Sequence, residues 1–211
     1  MRFQDAGAAG RDLAERLAPR GARERTSVIA VARGGVAVAL EVSKRLGLPL
    51  DLILLRRLLV PRGPQEPVCA ANVAGTPFLD EELRRGGGER PPEQFFAEAL
   101  AELESRARAC RGPRPAAELG GRTVLLVDNG VRTGSTMLAA LRALRSRAPA
   151  RVVAAAPVAA PEALVPVQTA ADEFVYLHAP EPFGHVGLWY REFTRPSDEE
   201  IRAMLDENSG Q

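Results

Sequence analysis

The sequence is short of cysteine, aromatic residues and net charge, and each shortage excludes something. Its two cysteines, Cys69 and Cys110, stand in unrelated contexts with no partner at metal-ligand spacing. Free thiols in a reducing compartment are therefore expected, rather than a disulfide scaffold. Lysine and arginine number 28 against 27 acidic residues, a formal net charge of +1. That balance excludes a strongly basic nucleic-acid binder, while leaving room for a local basic patch. No apolar run approaches the ~20 residues of a membrane span. The opening Met1-Arg2-Phe3-Gln4-Asp5 has no apolar core of a signal peptide, so a cytoplasmic protein is the expectation. The two histidines, His178 and His185, have no Cys, Asp or Glu cluster around them to complete a metal site. There is no Gly-x-Ser-x-Gly elbow, no nucleophile–base pair and no internal repeat.

What is present is a βα rhythm. At 211 residues, the chain fits one domain, able to bury roughly 70% of its unfolded surface without a staple. Ala9, Leu13, Ala14 and Leu17 recur at helical spacing up to Pro19. Thr26 to Ala32 is a β-branched apolar run closed by Arg33-Gly34-Gly35. Residues 36–46 return to helical periodicity and stop at Gly47. Leu50 to Leu55 is the next strand, ending in Arg56-Arg57. Strand, Gly turn, helix, strand is a βαβ unit, and hence a parallel sheet. The Pro- and Gly-rich stretch 58–92 interrupts it, with Val68 to Val73 as its one plausible strand. Residues 93–110 form an amphipathic helix with Phe96, Leu100 and Leu103 inward. Strands follow at Arg122–Val127, Arg151–Pro157 and Glu173–Leu177, with helices over 135–147 and 161–168. Runs such as Val124 to Val127 suit strands buried on both faces. In the tail, 179–211, Ser197 with Glu200 reads as the cap of a last helix. The expectation is an α/β fold with an open, mostly parallel sheet of about five strands flanked by helices.

The segment from Val124 to Met137 carries the most chemistry. A buried strand ends in Asp128, passes Asn129 and Gly130, and enters a helix. Ligands of open α/β sheets bind at the carboxyl ends of strands. Residues 130–136 (Gly130, Val131, Arg132, Thr133, Gly134, Ser135, Thr136) leave backbone N–H groups free before a helix N-terminus, which makes an anion cradle. A carboxylate that accepts hydroxyls beside a phosphate nest is what a ribose 5-phosphate needs. Taken alone, the same residues also read as a turn and a helix cap. They are not a Walker A loop, since the lysine is missing.

The segment resembles the signature of the type I phosphoribosyltransferases. Four apolar residues, Val124 to Val127, precede the acidic pair position, here Asp128-Asn129, and the Thr133-Gly134-Ser135-Thr136 phosphate loop. The resemblance runs from about Thr26 to Phe193. It implies a Mg²⁺-dependent transfer of the 5-phosphoribosyl group from 5-phosphoribosyl-1-pyrophosphate (PRPP) to a nitrogen acceptor, a nucleobase or similar small molecule, within nucleotide metabolism. Asp128 would hold the ribose hydroxyls, and Mg²⁺ would ride chiefly on the substrate's own oxygens. Val31 to Val36 resembles the family's pyrophosphate loop, where a cis non-proline peptide would fall at Ala32–Arg33. Arg33, Gly34 and Gly35 would line it, with Arg33 acting on the departing pyrophosphate. Read without the resemblance, the same glycines make a plain βα turn.

Arg56 and Arg57 end the second strand; neighbours on a strand point to opposite faces, so one of them is expected to reach the site. By position, 58–92 resembles the family's lid, to which Arg62 could belong. Phe183 and Trp189 sit in the one aromatic-dense segment and could stack on a base, or simply pack. Two departures from the family pattern bear on activity. Asn129 replaces the second acid, and Arg132 stands where some purine enzymes of the family carry an Asp beside the base. A non-catalytic sensor of PRPP or a nucleotide is therefore the alternative, and an unrelated α/β enzyme acting on a phosphorylated metabolite the third reading. A homodimer is common in the family.

Overall fold

The computed structural model describes residues 2–21, 25–58, 68–79 and 93–209. Its centre is a seven-stranded sheet in the order β4-β3-β2-β1-β5-β6-β7. The strands are β1 (Thr26–Val31), β2 (Leu50–Leu58), β3 (Val68–Val73), β4 (Thr76–Leu79), β5 (Thr123–Val127), β6 (Arg151–Val158) and β7 (Glu173–His178). The helices are α1 (Ala6–Gly21), α2 (Val36–Leu46), α3 (Glu93–Arg111), α4 (Ser135–Arg145), α5 (Pro161–Ala170) and α6 (Asp198–Ser209).

The five strands β2, β1, β5, β6 and β7 run parallel, as the βα rhythm requires. The expected count of five is corrected to seven. The hairpin β3–β4 adds two antiparallel strands beside β2, pairing Ile53 with Val73 and Leu58 with Val68. A tight turn at Ala74-Gly75, with Gly75 at φ 85°, closes that hairpin. The rest of the expected lid lies outside the described residues, at 59–67 and 80–92, and Arg62 with it.

Side chains alternate across the sheet with the period of two that a pleated strand imposes. Val28, Ala30, Leu52, Leu54, Leu125 and Val127 join the core on one face, under α1, α2, α3 and α6. Ile29, Val31, Ile53, Val124 and Leu126 join the other, under α4 and α5. Covering both faces explains why β5 is apolar at successive positions rather than at every second one. Cutting a side chain such as Leu125 or Leu126, both fully buried, to alanine removes about 2–5 kcal/mol.

The amino-terminal segment meets the stretch that follows β7. The Phe3 amide donates to the Trp189 carbonyl (2.8 Å), the Arg191 amide to the Phe3 carbonyl (2.9 Å) and the Glu192 amide to the Gln4 carbonyl (2.9 Å). Phe3, Phe183 and Tyr190 then form a small apolar cluster with Val158 and Ala160. Among the described residues, no helix is long and apolar enough to cross a membrane.

Candidate active site

The loops that leave the carboxyl ends of β1 and β5 meet the carboxyl half of β2 in one cleft of about 590 Å³. The β5 loop forms its floor. The Asp128 amide donates to the Ala155 carbonyl (3.0 Å), which carries the strand's pairing one residue past its end. The chain then rises through Asn129 and Gly130 and is stapled to β6: the Val131 amide donates to Val158, and the Ala160 amide to Val131. Gly134 takes a left-handed φ of 81° and starts α4 without any side-chain cap. The Ser135 amide donates to Thr133 Oγ1 at 3.4 Å; a helix N-terminus without a side-chain cap at its N-cap residue is an anion site. Thr133 and Ser135 set their hydroxyls 3.1 Å apart at its mouth.

Asp128 is buried, with 8% of its surface exposed. Its Oδ1 accepts the Asn129 amide at 2.7 Å. Burial nevertheless dominates and pushes its carboxyl up to about 7; the Asn129 amide and the charge of Arg195 pull the other way. The Tyr190 hydroxyl donates to the Asn129 carbonyl. Its own pKa is raised, first by burial and then by the charge of Asp128.

The β1 loop forms one wall. The Ala32–Arg33 peptide is cis, at the position where the pyrophosphate-loop resemblance puts one. Gly34 and Gly35 are required by close approach. A Cβ on Gly34 would stand 2.6 Å from Asn129 Nδ2, and one on Gly35 2.6 Å from the Val127 carbonyl. Gly35 is therefore packed backbone to backbone against the end of β5, while Gly34 lies against the Asn129 side chain, close approaches that glycine permits.

Of the expected residues, Arg33, Gly34, Arg57 and the run Asp128, Asn129, Gly130, Val131, Arg132, Thr133, Gly134, Ser135 and Thr136 line the cleft. Four do not. Gly35 lies behind it, as the first residue before α2. Arg56 points to the opposite side of β2 from Arg57 and pairs with Glu102 of α3. Phe183 is buried in the small cluster that holds Phe3 and Tyr190. Trp189 packs against it and donates its indole N–H to the Phe183 carbonyl (3.0 Å). Arg57, the neighbour that does reach the cleft, donates to Ser135 Oγ at 3.2 Å.

Sequence reasoning missed Arg106, Phe193 and Arg195, which also line the cleft. Arg106 comes from the middle of α3 and makes two bonds to Asp198, the first residue of α6, at 3.1 and 3.0 Å. Arg33 reaches the same carboxylate at 3.4 Å. Asp198 is held below the usual carboxylate range, first by the Arg106 hydrogen bonds. One acid thus orients two arginines of the cleft. The signal for it was the Ser197 cap: Glu200 accepts the Ser197 amide and donates its own amide to Ser197 Oγ, which fixes where α6 begins and what its first residue faces.

The family profile of the phosphoribosyl transferase domain matches residues 3–186. This chain belongs to that family. The phosphoribosyl transferase domain thus takes in both glycine loops and the hairpin between them. A Mycobacterium tuberculosis protein with the provisional name phosphoribosyl transferase is 37% identical over 206 residues, 97% of this chain and 46% of that protein. The chain therefore spans about half the length of the curated relatives it matches. The crystal structure of TT1426 from Thermus thermophilus is 39% identical, with a TM-score of 0.81 over 98% of this chain and 99% of that one. A Neisseria gonorrhoeae protein solved with bound ppGpp shares the fold at 14% identity and a TM-score of 0.50.

Proposed function

We propose that this protein binds PRPP and transfers its 5-phosphoribosyl group to a nitrogen of a nucleobase-like acceptor, releasing pyrophosphate. The observation that carries the reading is the juxtaposition, on one loop, of buried Asp128 and the uncapped N-terminus of α4 inside an arginine-lined cleft. The amides and hydroxyls of 132–136 suit a 5-phosphate, which gains from both the bare N–H groups and the helix dipole. Asp128 suits the sugar hydroxyls and, when ionised, favours positive charge growing on the anomeric carbon. Arg33, on the β1 loop, suits the departing pyrophosphate, and Arg57, bonded to Ser135 of the phosphate cradle, can add its guanidinium fork to either phosphate group.

In the reaction the bond from the anomeric carbon to pyrophosphate oxygen breaks and its electron pair leaves with the oxygen. The acceptor nitrogen supplies the new pair. Among the described residues, the lining of the cleft carries one carboxylate, Asp128, and no group of three metal-ligating side chains occurs. That donor set fits a Mg²⁺ carried in on the substrate's own oxygens, with Asp128 and the Asn129 side-chain oxygen as the protein groups within its reach. When bound, such an ion neutralises charge on the leaving group.

Asn129 favours a second reading, a sensor of PRPP. An amide still bonds a hydroxyl but adds no charge to stabilise the transition state, so catalysis weakens more than binding. Calorimetric titration of PRPP with Mg²⁺ tests the shared step. Saturable binding by the wild type, weakened at least tenfold in Asp128→Ala, is expected; no binding by the folded wild type overturns both readings. Pyrophosphate release in the presence of nucleobases, and its gain in Asn129→Asp, separates a transferase from a sensor.

A further inference from the structure

The cleft has a wall that the donor does not use. Beside Asp128 the tail folds back over the β5 loop, so closely that a Cβ on Gly130 would stand 2.7 Å from Val186 Cγ1. Tyr190 anchors that tail through its bond to the Asn129 carbonyl. Val186 and Phe193 then present an apolar surface to the cleft. The Phe193 ring rests on Gly187 on one side and on Tyr190 at 5.5 Å between centroids. It still has 37% of its surface exposed, which leaves an aromatic face for a planar ring.

Among the described residues, five arginines line the cleft (Arg33, Arg57, Arg106, Arg132 and Arg195) against one carboxylate, Asp128. Three of the five already have partners: Arg33 and Arg106 share Asp198, and Arg57 bonds to Ser135. Arg132 and Arg195 are exposed, and among the described residues neither makes a hydrogen bond or an ion pair. A ring bearing an amino group would find donors facing its donor on this side. A ring bearing a carboxylate or an ionised oxygen would find two guanidinium forks, each able to take it in two parallel bonds.

Resting on the transferase reading above, we infer that the acceptor is a planar nitrogen heterocycle that is anionic at neutral pH, its ring on Phe193 and Val186 and its negative group between Arg132 and Arg195. In the step itself the lone pair of the ring nitrogen forms the new C–N bond, the pair of the broken C–O bond leaves on pyrophosphate, and the proton carried by that nitrogen passes to the pyrophosphate oxygens. A carboxylate on the ring keeps its charge throughout and serves recognition by the arginines.

The test begins with ribose 5-phosphate, whose binding by calorimetry reports the donor side alone. With ribose 5-phosphate and pyrophosphate present, orotate, which carries a carboxylate, is then compared with uracil, the same ring without it, and with adenine. The expected result is orotate binding at least tenfold tighter than either neutral ring. Arg195→Gln and Arg132→Gln should each cut that preference at least fivefold, the larger loss falling on orotate rather than on ribose 5-phosphate. Adenine or uracil binding as tightly as orotate overturns the inference and leaves the donor reading intact. So does an equal loss for every ligand in both variants, which would place the two arginines on the phosphate instead. Failure of ribose 5-phosphate itself to bind overturns the donor reading, and this inference with it.

Discussion

Asp128 is the residue on which the chemistry turns, and its environment works against its charge. A carboxyl whose ordinary value is 3.8 is pushed to about 7 by burial. The folded state therefore holds the proton through a range where the unfolded chain has released it. Between about pH 4 and pH 7 the folded state binds more protons than the unfolded one, so this group's contribution falls as pH rises and is flat above that. Asp128→Asn should remove that slope and leave the protein more stable at pH 7.5, by up to about 4 kcal/mol if the whole shift is realised. Denaturant unfolding of both proteins at pH 5 and pH 7.5 measures it; an unchanged slope in the variant would mean that Asp128 is ionised throughout. Affinity for the sugar hydroxyls should run the other way, rising through about pH 7 as the carboxylate forms. Stability and ligand recognition pull in opposite directions at one side chain, as they commonly do where a polar group is buried for use.

Among the elements, α6 ties two parts of the cleft together. Its first residue holds Arg33 from the β1 loop and Arg106 from α3. Asp198→Asn removes the charge but keeps the shape. Arg33 then loses its orientation, and affinity for a pyrophosphate-bearing ligand should drop about tenfold, the worth of one good charge-assisted bond. Ribose 5-phosphate, which lacks the pyrophosphate, should be much less affected. Titration of both ligands checks this, and tighter pyrophosphate binding in the variant would show that Asp198 competes for the arginines rather than aiming them.

The same helix shows where sequence reading stops. The β5 loop was legible because Asp128, the phosphate cradle and the start of α4 are contiguous, so local order is also spatial order. The β1 loop was legible through its glycines. Arg106 was hidden because helical periodicity says only that a position is polar and outward, not what faces it. Phe193 and Arg195 lie in a stretch without periodicity. Phe183 and Trp189 were placed on the ligand by composition alone; which aromatic rings face inward is decided by Phe3, from the other end of the chain. Arg57 was separated from Arg56 by the pleat, but only the contacts of Arg56 with Glu102 and of Arg57 with Ser135 told which of the two faces the cleft.

At the scale of the whole molecule the sheet has a working end and a bracing end. At the amino end of β2, Asp51 is buried with Arg111. It accepts both Nε and Nη2 of that arginine, at 3.1 and 2.9 Å, and the amide of Ala117 at 2.9 Å. This one carboxylate ties β2 to the end of α3 and to the chain leading into β5. Removing one partner of a buried pair strands the other and costs about 3–5 kcal/mol. Asp51→Ala should lower stability by that amount, while the folded fraction keeps its affinity for ribose 5-phosphate, since nothing at that end touches the cleft. A loss of affinity as large as the loss of stability would mean that the two ends are coupled.

The closure of Phe3 onto Trp189 and Arg191 also sets a timetable. A ribosome adds about 5–20 residues each second and releases the amino-terminal part first. The edge at Phe3 must wait for its partner, and Tyr190, Phe193, Arg195 and Asp198 are born after every strand of the sheet. A nascent chain that stops short of Trp189 can hold its sheet and its phosphate cradle, yet it has no tail wall and nothing to aim Arg33. Ligand retention thereby reports whether the tail wall has closed, separately from whether the sheet has formed.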